Sequence, residues 1–269
     1  MDVVMILINQ KITLNMKSNP YIAVHTLTYN EETIIKFFIE HYRKQFPNCI
    51  IKIWDNHSTD NTVKIAQEMG CEIFYYDSDG FFNEKIKNEL QNKCWKNATT
   101  EWVVVCDCDE LIQISQDELI EINNQNKNTS ILKFKGYTLV HRGESIDLAG
   151  MKMGFYDKAY DKTYLFKKTN ISEINYSLGC HYINPIITVP RNELVYTNKT
   201  YSAHHYKYLS LEYSVNRRKL YAERLSEWSK NISASFEVIA TKEYLHKNNF
   251  KHLDIEYLYT EQELIQVIE

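Results

Sequence analysis

The stretch Trp102-Val103-Val104-Val105-Cys106-Asp107-Cys108-Asp109-Glu110 joins an apolar run to a cluster of acids. The apolar part, residues 102–106, predicts a strand that is buried on both faces, as the central strands of parallel sheets are. Asp107 and Asp109 follow at the end of this strand. In an open α/β sheet the ligand crevice lies beyond the carboxyl ends of the strands. The stretch therefore predicts a polar site at one edge of a sheet.

Three apolar segments precede this stretch, and each is followed by a segment with helical periodicity. The strands are predicted over Tyr21–Leu27, Cys49–Trp54 and Cys71–Tyr76, and the helices over Glu31–Phe46, Asp60–Gly70 and Asn83–Lys96. This alternation is typical of an α/β fold with a Rossmann-like, mostly parallel central sheet flanked by helices. Further along, extended segments are predicted over Ile131–Tyr137 and Thr163–Lys168, and a helical tail begins near residue 209.

The composition excludes several classes of protein. The chain has 44% hydrophobic residues and a formal net charge of −4, so it has a core but lacks the basic surplus of a nucleic-acid-binding protein. Its 7 glycines form no phosphate-binding loop, which argues against P-loop and dinucleotide-binding enzymes. The 6 cysteines form no Cys-x-x-Cys pair, and the apolar run Val3–Ile8 is too short to span a bilayer. We therefore expect a cytoplasmic protein without a transmembrane segment.

Asp55 ends the second predicted strand and points to the same sheet edge as Asp107 and Asp109. Three carboxylates that converge repel one another unless a cation lies between them. Oxygen ligands of this kind suit Mn²⁺ or Mg²⁺, and such ions keep coordination positions open for phosphates. The simpler alternative is a solvated acidic turn. The run of valines before the acids favours the metal site, because a solvated turn needs no buried strand behind it.

Several motifs in this order resemble family-2-like glycosyltransferases with the glycosyltransferase-A fold. They are Tyr29-Asn30-Glu31, Trp54-Asp55-Asn56-His57-Ser58-Thr59-Asp60-Asn61-Thr62 and Asp107-Cys108-Asp109-Glu110. The later motifs Gly179-Cys180-His181 and Ala203-His204-His205-Tyr206-Lys207, followed by Arg217, Tyr221 and Arg224, are similar to elements of one subgroup. The resemblance implies transfer of a sugar from a nucleotide donor, most plausibly a UDP-sugar, to a hydroxyl on a glycan or other acceptor. It also implies metal dependence and inversion.

The resemblance assigns roles to individual residues. Those expected to bind the nucleotide are Thr28, Asn30, Glu31, Asp55 and Asp107. Those expected to hold the metal are Asp107, Asp109 and His205, and those expected near the diphosphate or acceptor are Lys162, His181 and Lys207. Asn30 and Glu31 have an alternative as the cap of the first helix, and Asp60 is interpreted as a cap of the second.

The catalytic base of an inverting transferase is expected to be a carboxylate near the acceptor hydroxyl. Glu144, Asp147, Asp157 and Asp161 lie in the right part of the chain, and we favour Asp147 or Asp161. The same acidic sheet edge would also suit a nucleotidyltransferase or a non-catalytic nucleotide-sugar-binding module. A glycosidase, which needs two carboxylates but no metal, is a further alternative.

By the same resemblance the chain divides into three parts. Residues 1–19 form an N-terminal arm, and residues 20–208 form the glycosyltransferase-A domain. Within that domain, 20–112 is the nucleotide-binding half and 113–208 the acceptor half. Residues 209–269 form the helical C-terminal tail.

Overall fold

The structure is a computed structural model, and it describes residues 21–188, 195–230, 247 and 254–268. The strands in this part of the chain are β1 (Ile22–Thr28), β2 (Ile50–Asp55), β3 (Glu72–Tyr75), β4 (Trp102–Asp107), β5 (Glu110–Gln113), β6 (Thr129–Val140), β7 (Met153–Tyr156), β8 (Leu165–Lys167), β9 (Ile171–Glu173), β10 (Ile186–Ile187), β11 (Val195–Tyr208) and β12 (Ile265–Gln266). The helices are α1 (Ile35–Gln45), α2 (Thr62–Glu68), α3 (Glu84–Lys93), α4 (Gln116–Gln125), α5 (Leu211–Arg224), α6 (Glu227–Lys230) and α7 (Ile255–Thr260).

The main sheet has the strand order β12-β7-β6-β8-β4-β1-β2-β3. The four strands β3, β2, β1 and β4 run parallel, so their carboxyl ends meet at one edge. Beyond β4 the sheet becomes mixed, because β8 pairs with β4 and β6 in the antiparallel sense. The predicted α/β fold with a central sheet flanked by helices is confirmed, and β4 lies between β1 and β8, as its apolar sequence predicts.

The main core lies between the parallel strands and α1. Phe38, Ile39 and Tyr42 of α1 are fully buried and belong to the same cluster as Val24 of β1 and Val104 of β4. These α1 positions recur at helical spacing, which is why the sequence places them on the core-facing side. The packing holds the carboxyl ends of β1 and β4 in a fixed relation to each other.

The first helix does not begin where the sequence predicts. It starts at Ile35, and its N-cap Ile34 makes no side-chain capping bond. Asn30 instead adopts a left-handed conformation with φ of 54°, and its side chain accepts a hydrogen bond from the Thr59 N–H at 2.8 Å. The expectation that Asn30 to Glu32 cap this helix is therefore wrong. The polar side chains of this turn form hydrogen bonds and ion pairs with residues distant in sequence, and therefore do not cap the helix.

Asp60 fulfils its predicted capping role. Its Oδ1 accepts a hydrogen bond from the N–H of Thr62, the first residue of α2, at 2.9 Å. This bond satisfies one of the amide groups that a helix start leaves without a partner. Gly70 follows the end of α2 with φ of 71°, a conformation that glycine adopts without strain.

The later part of the chain folds onto the same sheet. Strand β11 pairs with β5, where Ala203 lies opposite Ile112 and His205 lies opposite Glu110. It also runs parallel to β6. After β11, helix α5 follows, and β12 pairs with β7 at the far edge of the sheet. The predicted N-terminal arm, 1–19, lies outside the described residues.

Within the described residues, no helix is long and apolar enough to cross a membrane. The 6 cysteines are free thiols. Cys106 and Cys108 are each 2% exposed and belong to the main hydrophobic core, in agreement with their interpretation as small core residues.

Candidate active site

A cavity of about 380 Å³ lies beyond the carboxyl ends of the parallel strands. Eight of the predicted site residues line it: Thr28, Glu31, Asp107, Asp109, Lys162, His181, His205 and Lys207. The predicted residues Asn30, Asp55, Asp147 and Asp161 do not line it. The sequence therefore identifies a substantial part of the polar wall, although these residues come from strands, turns and loops far apart in the chain.

Asp55 lies directly behind the cavity wall. It is completely buried, and its carboxylate accepts hydrogen bonds from Thr28 Oγ1 at 3.1 Å, from the Ser58 N–H at 2.8 Å and from Ser58 Oγ at 2.5 Å. Thr28 is the last residue of β1 and lines the cavity. Asp55 therefore orients Thr28 and the turn after β2 from behind the wall.

Asp107 is held by two residues of helix α3. Lys87 Nζ donates to Asp107 Oδ2 at 2.9 Å, and Gln91 Nε2 donates to Oδ1 at 3.4 Å. Burial lowers the pKa of the Lys87 ammonium, but Asp107 and Glu84 outweigh it and raise that pKa well above its usual value. The first acid of the Asp-x-Asp motif thus forms an ion pair, and its partner Lys87 also lines the cavity.

Asp109 faces His205 across the cavity floor. Its Oδ2 lies 3.4 Å from His205 Nε2, and the side chains are 22% and 5% exposed. Burial favours the neutral form of the Asp109 carboxyl, but His205, Arg217 and Lys87 prevail and hold its pKa below the usual range. Asp109 is therefore ionised at neutral pH.

A second hydrogen bond sets the orientation of the His205 ring. The Thr138 hydroxyl donates to Asp157 Oδ2 at 3.0 Å, and its oxygen lies 3.3 Å from His205 Nδ1. Because that hydroxyl hydrogen already goes to a carboxylate, the oxygen is left to accept from an Nδ1–H. Nε2 is then the ring nitrogen that faces Asp109, where it can bind a proton or a metal ion.

Glu31 connects the turn after β1 with helix α5. Its Oε1 forms an ion pair with Arg217, whose guanidinium also donates to Tyr221 Oη at 2.9 Å. Burial raises the pKa of the Glu31 carboxyl to about 7, although Arg217 acts in the opposite direction. Arg217 and Tyr221 lie one helical turn apart, so α5 presents both to the cavity.

Lys162 and Glu110 form a buried ion pair under the Asp-x-Asp turn. Lys162 Nζ donates to Glu110 Oε1 at 2.5 Å, and Glu110 Oε2 accepts from the Asp107 N–H at 3.0 Å. Burial alone would lower the pKa of the Lys162 ammonium, but Glu110 and Asp107 raise it. Lys162 is therefore charged, and it is tied to the turn that carries Asp107.

Asp147 and Asp161 make contacts outside the cavity. Asp147 Oδ1 accepts from the Gly150 N–H at 2.9 Å in an exposed loop. Asp161 accepts from the Gly136 N–H at 2.8 Å and from Tyr156 Oη at 2.6 Å. Asp161 lies between Tyr160 and Lys162, which both line the cavity, but its own carboxylate is directed to β6 and β7.

Cations outnumber carboxylates in the cavity wall. The lining side chains include six cations and four carboxylates: Lys87, Lys162, Lys207, Arg217, Arg218 and Arg224, with Glu31, Glu84, Asp107 and Asp109. The whole chain has a formal net charge of −4. The cavity wall is therefore positively charged although the whole chain is negatively charged, and this favours an anionic ligand in the cavity.

Comparison with known families finds a match in the first half of the chain. Residues 23–121, which include β1–β5 and the Asp-x-Asp turn, match the family described as "Glycosyl transferase family 2". The chain is also 24% identical over 217 residues to an uncharacterized glycosyltransferase of Rickettsia prowazekii, a match that covers 78% of this chain and 68% of that protein.

Two solved structures are similar to the chain at low sequence identity. Residues 1–349 of TarS from S. aureus, in complex with UDP-GlcNAc, are 17% identical, with a TM-score of 0.41 and coverage of 89% of this chain and 76% of that one. The mannosyltransferase PcManGT from Pyrobaculum calidifontis, in complex with GDP-Man and Mn²⁺, is 19% identical, with a TM-score of 0.32 and coverage of 47% and 36%.

Several residues that line the cavity are not identified by the sequence. Lys87 is one of several lysines in the predicted helices. It lies four residues before Gln91, so the two side chains share one face of the helix, and this spacing could have identified Lys87. Tyr160, whose ring centroid lies 3.8 Å from that of His205, was one of 20 tyrosines and carried no such signal.

Proposed function

We propose that this glycosyltransferase moves a sugar from a nucleoside diphosphate donor, a UDP-sugar, to a hydroxyl acceptor with inversion. We further propose that it uses Mn²⁺ or Mg²⁺ held by Asp109 and His205. The observation that carries this proposal is the pair formed by Asp109 Oδ2 and His205 Nε2. An ionised carboxylate and an imidazole lone pair that face each other at 3.4 Å repel unless a cation, either a proton or a metal ion, lies between them.

The donor set fits a divalent ion that binds a diphosphate. The two atoms are 3.4 Å apart, a separation that would allow both side chains to hold one divalent ion. Among the residues the structure describes, no three His, Cys, Asp or Glu side chains form a complete metal site. Two protein ligands leave room for the waters and phosphate oxygens with which Mg²⁺ and Mn²⁺ complete their shells. Such an ion would supply positive charge to the leaving diphosphate.

The remaining cations of the cavity support the same assignment. Lys162 and Arg217 are held in place by ion pairs, and Lys207 lines the cavity from β11. Fixed positive groups of this kind stabilise the charge that develops on a departing diphosphate without a change of conformation during the reaction. Asp107 contributes indirectly in this scheme, because it holds Lys87 at the cavity wall.

The nucleoside is proposed to lie at the carboxyl ends of β1, β2 and β3. Thr28, Tyr29, Asn56 and Tyr76 line this end of the cavity. Asp55 supports the proposed base site through Thr28 and does not reach the cavity itself. An aromatic ring beside several hydrogen-bonding groups is a suitable site for a small planar base.

Release of UDP from nucleotide sugars tests the proposed function. A panel of UDP-sugars is incubated with the enzyme and Mn²⁺, and free UDP is measured with and without simple hydroxyl acceptors. The matching GDP- and CDP-sugars are the control. We expect metal-dependent release from at least one UDP-sugar. Binding of UDP-sugars with no turnover under any of these conditions would indicate a non-catalytic binding module instead.

A further inference from the structure

We propose that His181 is the general base that removes the proton from the acceptor hydroxyl. This role rests on the proposed transfer to a hydroxyl. The structure brings together the three features that such a base requires. His181 lines the cavity, one of its ring nitrogens is engaged by a backbone carbonyl, and the other is left as a proton acceptor.

The carboxylates that line the cavity each face a cation or a histidine. Glu31 pairs with Arg217, Asp109 faces His205, and Asp107 and Glu84 both act on Lys87. Among the described lining residues between 113 and 208, the side chains able to accept a proton near neutral pH are His181 and His205. His205 faces Asp109, so His181 is the one left for the acceptor.

The hydrogen bond to Ala159 fixes the tautomer of His181. Its Nδ1 lies 2.6 Å from the Ala159 carbonyl oxygen. A carbonyl oxygen only accepts, so Nδ1 carries the hydrogen and donates it. In the neutral ring Nε2 therefore holds the lone pair. A backbone partner that sets which nitrogen takes up a proton is the usual support of a histidine base.

Gly179 keeps space for the ring. It has a left-handed backbone with φ of +66°, and a Cβ built on it would lie 2.7 Å from His181 Nε2 and 2.8 Å from Cδ2. The left-handed backbone favours glycine at this position, and a side chain here would displace the ring of His181. The glycine in the Gly179-Cys180-His181 motif thus has a structural explanation.

The surroundings keep the ring neutral at physiological pH. Burial lowers the pKa of His181 and the nearby Lys162 lowers it further, whereas the Ala159 bond, Glu110 and Asp107 act in the opposite direction with smaller effect. In the proposed step Nε2 takes the hydroxyl proton while the acceptor oxygen bonds to the anomeric carbon. The bond between that carbon and the diphosphate oxygen breaks, and its electron pair leaves with UDP. The imidazolium then releases the proton to water.

The variant His181→Asn tests this role. The Asn amide is able to donate to the Ala159 carbonyl as Nδ1 does, but it has no group in place of the basic Nε2. With the UDP-sugar that the donor panel selects, we expect kcat to fall by about 10²–10⁴-fold, while the Kd for UDP changes by less than about threefold. His57→Asn is the matched control, because His57 is exposed, lies outside the cavity and already has a left-handed φ of 53° that Asn tolerates.

The pH profile separates a base from a residue that only supports the structure. Wild-type kcat/KM should decline on the acid side with a midpoint below 6.5, the ordinary pKa of histidine, and the decline should be absent in His181→Asn. A kcat for His181→Asn within threefold of wild type would overturn the proposal, as would a larger loss for Asp147→Asn or Asp161→Asn. If wild-type enzyme binds no UDP-sugar, the proposed function itself fails, which is a separate result.

Discussion

The ion pair between Lys87 and Asp107 should give a measurable coupling energy in a double-mutant cycle. Lys87 Nζ lies 2.9 Å from Asp107 Oδ2, and the side chains are 16% and 26% exposed. Two unit charges at this distance attract by about 6 kcal/mol at an effective dielectric constant of 20. Desolvation offsets most of this, and hydrogen bonds to charged groups contribute about 1.5–3 kcal/mol net. We therefore expect a coupling of about 2 kcal/mol.

Urea denaturation of four proteins measures this coupling: wild type, Lys87→Met, Asp107→Asn and the double variant. The double variant should be more stable than the sum of the single losses implies, because the second substitution removes a charge that the first has left unpaired. The matched control is the cycle of Lys36→Met and Glu40→Gln, an exposed pair 3.8 Å apart, for which about 0.3–0.5 kcal/mol is expected. A coupling for Lys87 and Asp107 no larger than that of the control would refute the reasoning.

Two further predictions concern stability. Burial lowers the pKa of His25 to about 3, so the folded state stays neutral while the unfolded chain gains a proton below about pH 6.5. Stability is then lost as the pH falls, by about 2 kcal/mol between pH 7 and 5, and urea melts of His25→Gln should show a smaller decline than wild type; an equal decline would contradict this. Asp60→Ala should destabilise α2 by about 1 kcal/mol with no change in the Kd for UDP, and a weaker Kd measured by calorimetry would instead give Asp60 a role in binding.

The parallel half of the fold was predictable because its signals are local. The apolar run before Asp107 indicates a buried central strand, and the spacing of Phe38 and Tyr42 indicates the face of α1 that packs on the sheet. The carboxyl ends of parallel strands necessarily meet at one edge. Asp109 was therefore predictable as part of a site without knowledge of any distant contact.

The features that were not predictable depend on contacts between residues far apart in sequence. Asn30 and Glu31 were expected to cap a helix, but Glu31 is paired with Arg217, 186 positions further along the chain. Similarly, the sequence alone indicates that Lys87 is a solvated helical lysine. Its contact with Asp107 depends on the packing of α3 beside β4. The histidine pairings depend on the register of β11 against β5, which hydrophobic patterns alone do not determine.

The helical segment after residue 208 shows the limit of periodicity alone. Arg217 and Tyr221 of α5 form part of the cavity wall. The family resemblance indicates both residues, whereas nothing in the periodicity of α5 distinguishes them from the exposed charges beside them. The division of the chain into three parts at residues 19 and 208 stays a prediction.

The central claim is that Asp109 and His205 hold a divalent cation that binds the donor diphosphate. Calorimetric titration of UDP into the enzyme, with Mn²⁺ and with a chelator, tests it most directly when wild type is compared with Asp109→Asn. The account predicts tight binding that needs both Mn²⁺ and the carboxylate, with at least a tenfold loss when either is removed. Equal UDP affinity in all four titrations would contradict it.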